Sequence, residues 1–327
     1  MGENLFELPV AGATGYVPVQ TPLYQAADLN SEQLLTLAPG DGFLILAESG
    51  DWWQVQRATQ QGYVRHDQAM INLPDVIPSI MYDLTNALSS RFVSLGKPIP
   101  GITGQQLFTN RTYNPRLGRP EFIAPLLYPM AQKIQRIQRQ VWANGETLKI
   151  YEAFRPYSVQ QQVCTQLAAF ADQDPEIKAG ISSEPWDLEW FIADDISNHQ
   201  IGYAMDVTLA TVDETTLTTI GDYQVHQVTR ATEAQMYTAI HELSRRSAVF
   251  TAPVWTGDRI AWRHSQIRSV VDPNALRLQK YCTDGGLTPL ASEWWHFNDL
   301  DAYDQVAANP GDGNYLIHDL FSQVPHQ

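Results

Sequence analysis

The chain has 327 residues, of which 44% are hydrophobic, 17% charged and 10% aromatic, enough apolar material for a sizeable core in about two domains and too much for global disorder. Against 36 acidic residues stand 21 lysines and arginines, and the net charge of −15 argues against a generic nucleic-acid binder or a binder of anionic membranes. No apolar run approaches the roughly 18 residues of a spanning helix. Cys164 and Cys282 are the only cysteines, which excludes a disulfide-rich scaffold and a multi-cysteine metal site; two buried free thiols are preferred over one bridge. Met1 to Pro9 has neither the basic nor the apolar region of a leader. The chain is therefore expected in the cytoplasm, or in the cell envelope (periplasmic or secreted) after removal of a signal.

From Thr14 to Leu73 short β runs alternate with turns. Gly40-Asp41-Gly42 precedes Phe43 to Leu46, Ser49-Gly50-Asp51 precedes Trp52 to Val55, and Gly62-Tyr63-Val64 closes the series. Strands this short and close predict a small barrel. The order resembles a bacterial SH3-like domain, a resemblance that implies a module holding cell-wall peptides or covering a neighbouring active site. Adjacent strand residues point oppositely, so one of Trp52 and Trp53 is expected inside and the other on the surface.

Asn72 to Pro78 carries two prolines and reads as a linker, giving a module over residues 1–73 and a larger domain over 74–327. Met130, Ile134, Ile137 and Val141 form one helical face that ends near Gly145. Leu148 to Phe154 reads as a strand. Ser158 and Gln161 predict a capping box for a helix presenting Val159, Val163, Leu167 and Phe170. Thr211 to Glu233 has the look of an insertion. Met236 to Glu242 is read as helical, and Asp272-Pro273 starts a helix ending at Gly285-Gly286. The class is α+β.

Among eight histidines, two stand in unusual company. His199 precedes a glycine turn and a strand on which Met205, Val207 and Leu209 alternate with Asp206 and Thr208, placing Asp206 on the polar side. In Ser292-Glu293-Trp294-Trp295-His296-Phe297, an imidazole that could bind a metal lies three residues from a carboxylate that could move a proton. Arg155-Pro156 places a guanidinium after a strand, where it could face a developing oxyanion.

In this order the three segments resemble the zinc D,D-peptidases, the family of the vancomycin-resistance D-alanyl-D-alanine dipeptidases. The matching runs are Arg155-Pro156, Ser197 to Asp206 and Glu293 to His296. The resemblance spans about residues 76 to 305. It implies a mixed domain with a central antiparallel sheet and flanking helices, and one Zn2+ per chain on His199, Asp206 and His296. Glu293 would be the general base and Arg155 the stabiliser of the transition state. Ser197, His241 and Trp295 would contact substrate. His241 stands where the family keeps an ammonium-binding carboxylate, which favours a longer wall peptide over a free dipeptide. The implied partner is peptidoglycan or its D-Ala-containing precursors, cleaved in the manner of a dipeptidase, carboxypeptidase or endopeptidase. A wall-binding protein with an inert peptidase-like domain is the alternative, and it has no need of Glu293.

Overall fold

The computed structural model describes residues 6–307 and 313–327. Gly-Asp turns cut the amino-terminal sequence into the strands Thr14–Tyr16, Thr21–Tyr24, Gln33–Leu37, Gly42–Ser49, Trp52–Arg57, Gln60–Arg65 and Met70–Asn72. They belong to one eight-stranded sheet whose outer member at one edge is Pro125–Leu127, paired antiparallel with Met70–Asn72. The other edge is Gln33–Leu37, and no pairing joins the two edges among the described residues. The expected closed barrel is therefore an open sheet here.

Trp52 and Trp53 do not divide between inside and outside. Trp53 is fully buried, its ring 4.8 Å from that of Tyr128, and Trp52 is also buried, edge-on to Tyr24 at 5.5 Å. The second contact surface that permits this comes from the larger part of the chain, to which Tyr128 belongs.

The expected linker is likewise buried, from Asn72 through Pro78. Asp75 accepts hydrogen bonds from Thr14 N at 2.9 Å, Asn114 Nδ2 at 2.7 Å and Ser322 Oγ at 2.6 Å. A carboxylate this deep is tolerated because its oxygens are met by donors. The carboxy-terminal segment reinforces the junction: Tyr16 OH donates to Asp319 O at 2.7 Å and Gln323 N to Gly12 O at 2.8 Å.

The helix Tyr128–Ala143 buries the predicted face of Met130, Ile134, Ile137 and Val141, and Gly145 follows it at φ +76°. The next strand is Glu146–Glu152, so Phe154 lies beyond it. The helix Tyr157–Gln173 forms without the expected capping box, since Pro156 occupies the N-cap position and no side chain caps it. The helix Pro273–Asp284 is capped as expected by Asp272, whose carboxylate accepts from Asn274 N and Ala275 N.

The second sheet runs Thr288–Leu290, Glu293–Asn298, Ala204–Ile220, Glu146–Glu152, Met81–Tyr82, with Tyr223–Glu233 also paired to Ala204–Ile220. All pairs are antiparallel except Met81–Tyr82 with Glu146–Glu152. The segment read as an insertion is thus the far half of a long strand plus its hairpin partner. Met236 to Glu242 is not a helix but a loop, with His241 at φ +60°. Both cysteines are free; Cys282 is buried and Cys164 half-buried. No helix among the described residues is long and apolar enough to cross a membrane.

Candidate metal centre

Register builds the site. Asp206 pairs with His296 on one neighbouring strand and with Glu152 on the other, so three chemically active side chains come to lie across adjacent strands. In a regular strand Glu293 and His296, three apart, would face opposite sides. A register shift between Pro289 and Leu290 breaks that alternation and returns Glu293 to the side of His296, with Oε2 3.7 Å from His296 Nδ1. A second irregularity between Ile150 and Glu152 turns Glu152 inward.

His199 comes from the short helix Asn198–Ile201, which ends at Gly202 with φ +85°. Glycine is required there twice over. The left-handed conformation disfavours a side chain, and a Cβ would come within 2.6 Å of Met70 Sδ. Met70 belongs to the amino-terminal sheet, so that sheet backs the turn carrying His199.

The ring nitrogens have assigned roles. His199 Nδ1 lies 2.9 Å from the carbonyl of Ala153, which can only accept, so Nδ1 carries the proton and Nε2 presents a lone pair. Asn298 Oδ1 accepts from Asn198 Nδ2 at 2.8 Å and from His296 Nε2 at 3.0 Å, leaving the Nδ1 lone pair of His296 exposed to the site. His199 Nε2 and His296 Nδ1 are 3.2 Å apart, and Asp206 Oδ1 lies 3.3 Å from the first and 3.0 Å from the second. Three acceptors thus converge with no proton between them. Around a tetrahedral zinc with bonds of about 2.0 Å, ligand atoms stand about 3.3 Å apart. The donor set fits such an ion.

Charge around this triangle is closely arranged. Burial opposes ionisation of the Asp206 carboxyl, but the surrounding His199, His241 and His296 rings, His199 foremost, hold its pKa well below the usual carboxylate range. Burial, joined by Arg155, lowers that of the His199 ring. Burial, then the Asp206 charge, pushes Glu293 well above the ordinary carboxylate value, with Arg155 opposing. Arg155 is itself buried. Nε donates to Glu152 Oε2 at 2.9 Å and Nη1 to Gln160 Oε1 at 2.7 Å, while Nη2 serves Glu152 and, at 3.4 Å, Asp206 Oδ2. Of the five guanidinium N–H groups, one on Nη1 is left uncommitted. Burial would lower the Arg155 pKa, yet Glu152, Asp206 and Glu293 raise it.

A cavity of about 310 Å³ opens onto this cluster, lined by Arg155, Ser197, His199, Glu293 and His296 together with Glu189 and Thr256. Ser197 Oγ is buried there without a hydrogen-bond partner. His241 and Trp295, expected at the substrate, do not line it. Both are buried, with rings 5.9 Å apart, and His241 Nε2 lies 3.0 Å from Asp206 Oδ2, on the far side of the carboxylate from the triangle. The sequence reading assigned no role to Glu152, Asn298 or the Ala153 carbonyl. Asn298, two residues beyond His296 on the same strand face, was the detectable one.

Fold and site together bring a buried set of potential metal ligands, His199, Asp206 and His296, to the wall of a cavity. The sequence pattern of the family described as D-ala-D-ala dipeptidase matches residues 126–310, and the chain belongs to that family. No curated protein matches the chain. Among solved structures the chain is similar to "VanYB in complex with D-Alanine-D-Alanine", at 11% identity over 66% of this chain and 90% of that one, with a TM-score of 0.27. It is also similar to a mutant of the vancomycin-resistance D,D-pentapeptidase VanY in complex with Zn(II), at 14% identity over 68% and 94%, again with a TM-score of 0.27.

Proposed function

We propose that the chain is a zinc peptidase hydrolysing D-Ala-containing peptides of the bacterial cell wall or its precursors. The observation that supports this best is the convergence of His199 Nε2, Asp206 Oδ1 and His296 Nδ1, with Glu293 beside them at the floor of the cavity. Zinc, when bound, would supply a Lewis acid and lower the pKa of a coordinated water towards about 7. Glu293, held in a buried and negatively charged setting, accepts the proton from the attacking water and passes it to the leaving amine. The uncommitted N–H of Arg155 stabilises the oxygen on which charge develops, and Glu152 and Gln160 fix the guanidinium for that task. Ser197 Oγ, buried and without a partner, is a hydrogen-bonding group for the peptide.

His241, the residue expected to disfavour a free dipeptide, does not line the cavity. Glu189 does, and it offers a substrate ammonium a carboxylate. We therefore include D-Ala-D-Ala itself among the substrates. The amino-terminal strands, read as an SH3-like module over residues 1–73, support the cleft through Met70 rather than hang beside it. With a wall peptide as substrate the protein would act in the cell envelope, and with a free precursor dipeptide in the cytoplasm.

Incubating the protein with D-Ala-D-Ala and with stem peptides ending in D-Ala, and identifying products by mass, tests the proposal. Release of D-alanine or a shortened stem that stops with a chelator supports it. Intact substrates in the presence of added zinc would leave the inert wall-binding alternative standing.

A further inference from the structure

The buried group Glu152, Asp206 and His241 gathers potential ligands behind the first triangle. It does not form a second metal site, because the Arg155 guanidinium reaches both Glu152 and Asp206 and already supplies a cation there. What remains unexplained is His241.

This residue sits at φ +60°, a conformation costing a non-glycine residue about 1–3 kcal/mol unless its surroundings enforce it. Here they do. His241 O accepts from Val93 N at 3.1 Å, and the Glu242 carboxylate accepts from Leu95 N at 2.6 Å and Gly96 N at 2.7 Å. The loop is therefore fastened on both sides of the turn. The His241 ring stacks on Phe92 with centroids 4.6 Å apart and planes at 26°, and Thr85 Oγ1 lies 3.5 Å from Nδ1. All of this aims Nε2 at Asp206 Oδ2, 3.0 Å away.

Asp206 has two oxygens with different duties. Oδ1 faces the lone pairs of His199 and His296; Oδ2 receives His241 and, at longer range, Arg155. We propose that His241 is a positioning residue of the metal centre: its N–H anchors Oδ2, fixes the carboxylate plane and presents Oδ1 alone to the ion. This rests on the zinc-site reading above. An ordinary core histidine would need only a partner for its N–H. It would not need a strained turn to reach the non-ligating oxygen of a ligand. Outer partners of this kind typically change metal affinity by about 10- to 100-fold.

The test uses the full-length protein and two variants, His241→Leu and His241→Gln; the second keeps a donor near the position of Nε2. Zinc affinity is read by competition with a chromogenic chelator, and ligand geometry by the visible absorption of the Co(II)-substituted protein. Neither readout depends on turnover. His241→Leu should bind zinc about 10- to 100-fold more weakly with an altered cobalt spectrum, and His241→Gln should recover most of both. Wild-type affinity and spectrum in His241→Leu overturn the assignment alone. A wild-type protein that takes up no zinc overturns the peptidase reading and this assignment with it. If His241→Leu does not fold, Phe92→Leu, which removes the stacking partner, should weaken zinc binding in its place, and unchanged binding there overturns the proposal.

Discussion

At the residue scale the site is a problem of proton placement. His199 and His296 act as acceptors because a carbonyl and an amide oxygen have claimed their other nitrogens. Exchanging His199, Asp206 or His296 for Ala should remove most bound metal and all hydrolysis, as measured by metal analysis and product formation. His241→Asp, which would put a carboxylate where the family is expected to keep one, should cost metal. It would set a second carboxylate against the Asp206 oxygen that His241 now anchors, and like charges this close cannot both stay ionised. Glu293 gives a pH prediction for metal-stripped protein. Its pKa in the fold lies well above the ordinary 4.5, so the fold favours the neutral acid. Its contribution is full below the unfolded value and is lost as pH rises through the raised one. Glu293→Gln cannot ionise. The variant should match the parent in thermal stability near pH 4 and exceed it increasingly towards neutral pH. A constant difference across that range would contradict the raised value.

At the element scale, strand register and two irregularities do what sequence spacing could not announce. The motif residues were legible because Ser197 to Asp206 and Glu293 to His296 carry their chemistry in side chains at short spacing. Glu152 was not, because its importance comes from pairing with Asp206 across strands far apart in sequence, and the Ala153 carbonyl leaves no trace in residue type. Met236 to Glu242, expected to be helical, is instead held as a loop by the hydrogen bonds that Val93, Leu95 and Gly96 donate to His241 and Glu242. The capping box failed for a related reason: Gln161 instead donates to the Asp194 carbonyl, bracing the cavity wall. Gly202 is the point where element geometry is most exposed to mutation. Gly202→Ala combines a left-handed backbone, worth about 1–3 kcal/mol, with a contact of 2.6 Å to Met70 Sδ. Melting temperature should fall, and because the turn carries His199, zinc affinity should fall with it. An unchanged affinity would mean that the turn does not position the ligand.

At the scale of the whole molecule, the reading of an independent module joined by a linker gives way to an interlocked chain. The amino-terminal sheet borrows Pro125–Leu127, Trp53 packs on Tyr128, and Asp75 is clasped by Thr14, Asn114 and Ser322 from three distant parts of the sequence. Removing residues up to Asp75 would strip Tyr128 and Gly202 of their neighbours. Such a truncation should be insoluble or molten, and the intact chain should unfold in one cooperative transition by calorimetry. Two separate transitions would restore the modular view. The same packing predicts that Cys282, whose thiol burial pushes far above its usual pKa, reacts with a thiol reagent only on unfolding, well after the half-buried Cys164. The central claim, a cation held by His199, Asp206 and His296 with Glu293 acting on the water beside it, is tested most directly by the zinc content of the wild-type protein and Glu293→Gln after mild purification. One zinc per chain in both, with turnover in the variant reduced by about 10²–10⁴-fold, is the predicted result. Absence of zinc from the wild type with no activity gained on adding it, or loss of zinc from Glu293→Gln, would contradict the account.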